Sequence, residues 1–362
     1  MKNLFIIFVS ILLFSNIAIA QQRVVDATDN SPISAASIFD FEGNLIGITL
    51  SDGVIGNIPE SAYPITLRCV GYEQLLIENP HEKILSMIPA VYELEEVVIV
   101  PVERNMMKQT LYVREYFSIE TIKDTVTIFM EHMADRFVPA ARNVKTKVKH
   151  SVRLLGSKQY SRFKADGEDT VTFSTESEIP SMLHLFDLNP DEIKAPESFK
   201  NVGNINKYHS ESGKSGMSVI MQQNANTFTT VKDLLAETSK HKSSPFLLKL
   251  IGFSMQFNQL YTTNAFNVNE QGIYLQKDLI ESGFVMEADG KGKLLRKLFE
   301  TDKGILMRAM IELYVVDKDY LSEEEAQSQR NVKPENIEFI IPHTVPPLND
   351  ATKKLIESAK SN

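Results

Sequence analysis

The sequence predicts a mostly β protein with some α: a seven-stranded β-sandwich over residues 21–100, then a β-rich α+β domain over residues 105–362. Three observations predict this. Short stretches of alternating apolar and polar residues follow one another from Arg23 to Ile88, each closed by Gly, Pro, Asn or Asp. Glycine-containing turns again separate strand-like runs between Val144 and Val316. Clear helical signals are few: Ile119–Phe137, a short stretch after Ser322, and the residues beyond Asn349, with residues 245–261 ambiguous.

Residues 1–20 read as a secretory signal. Lys2 precedes an apolar run from Leu4 to Phe14, and Ala18-Ile19-Ala20 is a small-residue cleavage site. Ser10, Ser15 and Asn16 interrupt the run, whereas a membrane anchor needs about 20 continuous apolar residues. No cysteine follows the site, which argues against a lipid-anchored lipoprotein. The expectation is export, to the periplasm or to peripheral attachment at the outer membrane. A net charge of −9 without a basic block excludes nucleic acid as a partner.

Seven runs make up the first module: QRVVDA, ISAASIFDF, LIGITL, VIGNI, ITLRCV, YEQLLIE and ILSMI. Short strands at this spacing argue for an antiparallel sandwich. Ile65, Leu67 and Cys69 alternate with Thr66 and Arg68, so the single cysteine belongs to the apolar face of a strand, as a buried small hydrophobe. An exported domain stapled by disulfides would carry paired cysteines, so each module relies on its own core. Gly71 reads as a bulge or a close backbone approach, and Tyr72 as a half-buried cap.

These same residues carry a resemblance. The ordered series Val25-Asp26, Ser31-Pro32-Ile33, Ala35-Ala36-Ser37-Ile38, Gly47-Ile48-Thr49, Ser51-Asp52-Gly53, Ile58-Pro59, Cys69-Val70-Gly71-Tyr72 and Leu94-Glu95-Glu96-Val97-Val98-Ile99 resembles the carboxypeptidase-regulatory-like domain. The resemblance implies a transthyretin-like sandwich of the kind that opens many Bacteroidetes envelope proteins, with a structural or adhesive role and no catalytic residues. It departs from the family at Val54-Ile55-Gly56, and Gln22-Arg23 stands where a glycine is usual. Outer-membrane receptors continue from such a domain into a plug and barrel. The residues after Arg104 are too few for 22 membrane strands of about 10 residues each.

In the second region Ile119, Ile122, Val126, Phe129, Met133 and Phe137 recur at three and four, which predicts a helix capped by Ser118 and stopped at Pro139. His132 and Asp135 would lie on its polar face as solvated residues, without the second motif a metal site needs. Antiparallel strands follow from Val144 to Glu178 around an Asp166-Gly167 turn, then a polar loop over residues 190–216. Gly213-Lys214-Ser215 in that loop lacks the leading glycine and strand of a phosphate loop, since Tyr208 occupies the glycine position. The segment PFLLKLIGFSMQFNQLY, residues 245–261, fits a helix or a strand equally. A meander with a turn at Asp289-Gly290-Lys291-Gly292 leads to a capping box at Ser322 and a last helix capped by Asn349.

No nucleophile elbow occurs at Ser215 or Ser254, and the seven histidines have no metal-ligand spacing. No catalytic, cofactor-binding or metal residue is therefore expected. The first functional expectation is a non-enzymatic cell-envelope accessory protein, with the sandwich as interaction module and the second half binding an envelope protein, an outer-membrane component or a ligand. The second is a carrier of lipid or another apolar ligand near Phe246, Leu250, Phe253 and Phe257. The third, an envelope hydrolase, requires a buried carboxylate or histidine cluster in a cleft of the second half.

Overall fold

The computed structural model describes residues 21–92, 104–121, 123–140, 151–165, 167–175, 181, 183, 193–196, 206–212, 217–223, 226–235, 254–269, 271–291, 304–332 and 337–361. The signal, the expected boundary near residue 100, the Gly213-Lys214-Ser215 turn, and Phe246, Leu250 and Phe253 lie outside them.

Six short strands occur among the described residues of the first module: β1 (Arg23–Asp26), β2 (Ser37–Phe39), β3 (Leu45–Ile48), β4 (Ile65–Arg68), β5 (Leu75–Ile77) and β6 (Ile84–Met87). An antiparallel sheet has the order β3-β2-β4-β5, while β1 pairs with β6 in parallel. Val24, Leu85 and Met87 from the pair meet Ile38, Ile65, Leu67 and Ile77 from the sheet in one buried cluster. The expected strand at Val54–Ile58 is not formed; only an isolated bridge joins Val54 to Arg23. Gly53 turns the chain there at φ +76°, with its α-carbon so close that a β-carbon would stand 2.4 Å from the Val24 carbonyl oxygen. Pro59 then removes a ladder donor.

The second region is dominated by a large antiparallel sheet. Its strands are β7 (Met106–Glu120), β8 (Thr125–Pro139), β9 (Ser151–Ala165), β10 (Glu168–Ser174), β12 (Asn206–Ser212), β13 (Met217–Gln223), β14 (Thr227–Asp233), β15 (Ser254–Asn267), β17 (Leu279–Lys291) and β18 (Ile305–Leu321). The order across it is β10-β9-β8-β7-β18-β17-β15-β14-β13-β12. A separate pair joins β11 (Ile193–Lys194) to β16 (Ile273–Tyr274). Two helices follow the sheet, α1 (Glu323–Asn331) and α2 (Asp350–Ser361). Ser322 and Glu325 form the expected capping box on α1, and Asn349 Oδ1 accepts the Thr352 N–H at 2.7 Å to cap α2.

The structure corrects three expectations here. The predicted helix over Ile119–Phe137 is instead the hairpin of β7 and β8, paired from Met106↔Pro139 to Glu120↔Thr125. Both faces of β8 are covered, so Val126, Ile128 and Met130 on one side and Phe129 and Met133 on the other are all buried. Burial on both faces erases the period-two alternation and leaves apolar spacings that imitate a helix. The predicted loop over 190–216 contains β11 and β12, and β17 runs on to Lys291 where a turn was expected. β9 and β10 pair as expected, from Ala165↔Glu168 to Gln159↔Ser174, with Gly167 at φ +87° between them; Asp166 lies outside the described residues.

One face of the large sheet meets the first module. Tyr116, Phe129, Tyr160, Tyr261, Val285 and Met310 pack there against Phe39, Leu45 and Ile48 of the module and Leu355 and Ala359 of α2. The opposite face carries an apolar cluster that includes Leu111, Val113, Ile128, Met130, Phe284, Ile311 and Leu313. Gly283, mid-strand on β17, leaves room for the module: a β-carbon would lie 2.6 Å from Val70 Cγ2 of the module and 2.5 Å from Thr263 Oγ1 of β15. Gly283→Ala should therefore destabilise the protein by roughly 1–3 kcal/mol, read as a lower denaturation midpoint; an unchanged midpoint would show that the module yields freely.

Candidate functional site

Charged and hydrogen-bonding groups are buried in the seam between module and sheet. β4 was expected to show an apolar side and a polar side, yet Thr66 and Arg68 are as buried as Leu67 and Cys69, because their side faces the large sheet. Arg68 Nη2 lies 2.6 Å from Glu312 Oε2 on β18, and its Nη1 donates to the Tyr116 hydroxyl at 2.5 Å. Burial opposes the guanidinium charge, but Glu312, Tyr116 and Tyr314 together outweigh it and hold the pKa above the ordinary value. Tyr92 donates to Glu281 Oε2 at 2.5 Å, and the backbone N–H of Leu45 donates to Ser118 Oγ at 2.7 Å. Burial pushes the Glu281 carboxyl up to about 8, with Glu312 adding to the rise and the Tyr92 hydrogen bond opposing it.

Beside these contacts the seam opens into a cavity of about 380 Å³. Ile33, Cys69 and Val70 wall it from the module, and Ile220 and Val231 from β13 and β14. Tyr72, Gln222, Thr229 and Thr263 supply neutral polar groups, and none of the residues lining it carries a carboxylate, ammonium or guanidinium. Tyr72 and Gln222 are fixed from behind by Asp26, which accepts from the Tyr72 hydroxyl at 3.0 Å and the Gln222 amide at 3.1 Å. Burial raises the Asp26 carboxyl, yet hydrogen bonds from Thr28, Gln222 and Tyr72 together hold it below the ordinary range. Gly71, at φ +83°, carries the chain into this wall; a β-carbon would stand 3.2 Å from Thr229 Cγ2. This is the close approach expected at that position.

Cys69 is buried, with Sγ 3.8 Å from the Ser34 carbonyl. Burial, then Glu281 and Glu312, push its thiol up to about 12. It remains a neutral thiol at ordinary pH, so it contributes apolar wall and not a nucleophile.

A buried histidine and carboxylate do come together on the opposite face of the sheet, but none of the described pockets is lined by them, whereas the hydrolase reading asked for such a cluster in a cleft. His132 and Glu115 are both fully buried, where solvated positions were expected for His132 and Asp135. Strand parity sends Asp135 to the other face, where Arg153 Nη2 pairs with it at 2.8 Å. His132 Nδ1 lies 2.8 Å from Ser157 Oγ on β9, its Nε2 lies 3.4 Å from Glu115 Oε1, and Ser181 donates to the same oxygen. Only a histidine with a nearby acid could have flagged this in the sequence; the cross-strand register that joins Glu115, His132 and Ser157 could not be read there. Of the expected apolar-ligand residues, Phe257 alone is described, on β15 in the opposite-face core. Among the described residues no group of three or more His, Cys, Asp or Glu side chains could hold a metal ion.

No family model matches the chain, and no curated protein matches it. Among solved structures, one described as lipid-protein interactions in lipovitellin aligns with 60% of this chain and 25% of its own, at 8% identity and a TM-score of 0.30. The chain thus spans about a quarter of that protein's length, and a score at that level does not mark a shared fold.

Proposed function

We propose that the protein is an exported cell-envelope accessory protein that binds an uncharged, largely apolar ligand in the seam cavity, with an envelope protein or outer-membrane component as its partner. The observation that carries this is the cavity itself. Its volume of about 380 Å³, apolar walls and few oriented neutral donors and acceptors match a small-molecule site. The absence of charge from its lining favours a neutral amphiphile over a fatty acid anion or phosphate ester, since a buried charge without a partner is strongly disfavoured. In this reading the first module is one wall of the site and is held rigidly by Arg68. Its transthyretin-like, carboxypeptidase-regulatory-like character is supported by the ordered motifs and by the two small sheets that enclose one core. Export is supported by the leader-like residues 1–20.

Purified protein extracted into organic solvent should release a neutral amphiphile, near one per chain, by mass spectrometry. Ile220→Trp fills the cavity from β13 and should cut that yield at least tenfold while leaving the circular dichroism spectrum unchanged. An empty wild-type extract, or equal yields from a folded variant, would overturn the proposal.

A further inference from the structure

The polar cluster on the opposite face lies among apolar residues, and its geometry is directional. Val113↔His132↔Ser157 form one cross-strand row, and Glu115 stands in the next row, Glu115↔Met130↔Gln159, on the same face. His132 and Glu115 are fully buried, while Ser157 is only partly buried, so the serine is the end of the chain that an incoming molecule reaches. Met133↔Gly156 and Ala134↔Leu154 bracket a register shift that takes Leu155 out of the ladder two residues before Ser157. Bulges of this kind re-aim side chains and interrupt pairing next to reactive groups.

The tautomer follows from the surroundings. An imidazole nitrogen bearing a lone pair would face the Glu115 carboxylate unfavourably, whereas an Nε2–H faces it favourably at 3.4 Å. With the proton on Nε2, the Nδ1 lone pair points at the Ser157 hydroxyl 2.8 Å away, within the reach a general base needs. Ser181 hydrogen-bonds the same Glu115 oxygen and fixes the carboxylate that sets the tautomer. Nε2 makes no hydrogen bond of good geometry among the described residues. A network selected only for stability has no use for an unsatisfied buried donor, and catalytic hydrogen bonds are often long before substrate arrives.

We propose that Ser157, His132 and Glu115 form a nucleophile–base–carboxylate relay that hydrolyses uncharged carboxylic esters with an apolar acyl chain. Ser157 Oγ bonds to the ester carbonyl carbon as its proton passes to His132 Nδ1. The ester C–O bond then breaks and the departing alcohol takes that proton. Water attacks the acyl-serine, giving its proton to Nδ1; the Oγ–carbon bond breaks, Oγ regains the proton, and a carboxylic acid leaves. Nothing is oxidised or reduced. Val152 and Leu154, just before Ser157 on β9, pack against the apolar cluster and offer the acyl chain a surface. This site lies on the other face from the seam cavity and does not depend on the ligand proposed there.

The full-length protein should be incubated with an alkyl fluorophosphonate, which loses fluoride to an activated serine, and the adduct mapped by peptide mass spectrometry. A single adduct at Ser157 is expected, together with hydrolysis of p-nitrophenyl butyrate. His132→Gln should slow labelling at least about 100-fold with the circular dichroism spectrum unchanged. Glu115→Gln, a change in a positioning residue, should slow it and displace its pH profile while leaving the adduct at Ser157. A wild-type protein unmodified at Ser157 would overturn the proposal whether or not the variants fold. Undiminished labelling in a folded His132→Gln protein would also overturn it.

Discussion

Replacing Arg68 by Met is expected to destabilise the protein by roughly 3–5 kcal/mol, the largest effect of any single substitution in the seam. Arg68 and Glu312 have side chains only 1% and 3% exposed and meet at 2.6 Å. Removing the guanidinium takes from the buried Glu312 carboxylate its directly hydrogen-bonded counter-ion, leaving only the more distant charge of Arg114, and it strands the Tyr116 hydroxyl that accepted from Nη1. Equilibrium denaturation of the full chain would measure the loss. The double variant Arg68→Met with Glu312→Leu should recover most of it, because the broken ion pair then leaves neither of its two charges behind, and Arg114 keeps its bonds to the Tyr112 hydroxyl and the Pro346 carbonyl. If the double variant were as unstable as the single, the loss would belong to packing and not to charge.

Stability should also fall as the pH rises from about 4.5 to about 8, and Glu281 is the reason. Its folded pKa of about 8 exceeds the ordinary 4.5, chiefly through burial. Between those values the folded protein holds a proton that the unfolded chain has released. The stabilisation is therefore complete below the lower value and is lost as the pH passes the upper one. The change across that window is roughly 4 kcal/mol. Cys69, pushed up to about 12, does not titrate in it. Asp26, held low, acts with the opposite sign and only in acid. Glu281→Gln keeps an acceptor for Tyr92 and cannot ionise, so its stability curve should be flat where the wild type descends. A wild-type curve that rises from pH 5 to pH 8 would mean that Glu281 is ionised in the fold.

The mostly β character was legible because turn chemistry is local. The hairpin of β9 and β10 at Gly167, the Ser322 capping box and the Asn349 cap are each written within four residues of sequence. The β7–β8 hairpin was not legible. Its strands are covered by the module and α2 on one face and by an apolar cluster on the other, so they lack the alternation that betrays a half-exposed strand. Burial of Cys69 could be read from its neighbours, but burial of Arg68 could not. Its partners, Glu312 and Tyr116, come from β18 and β7, and nothing in ITLRCV signals that the polar side of the strand is also an interior side. The same limit hid the seam cavity, which is assembled from the module and from β13, β14 and β15, and the relay on β7, β8 and β9.

The pairing of β7 with β18, Met106 against Leu321, joins the first and the last strand of the large sheet at its middle. Ribosomes deliver Met106 long before Leu321, so the hairpin ladders on either side must wait with a long edge open until the last strand arrives. Such distant closure makes assembly slow and leaves the half-finished edges prone to self-association. Arg68 emerges earlier still and lacks Glu312 until that strand is made. The large sheet therefore closes only once β18 is in place, and the ion pair that ties the module to the sheet waits for the same strand, although the module holds a core of its own.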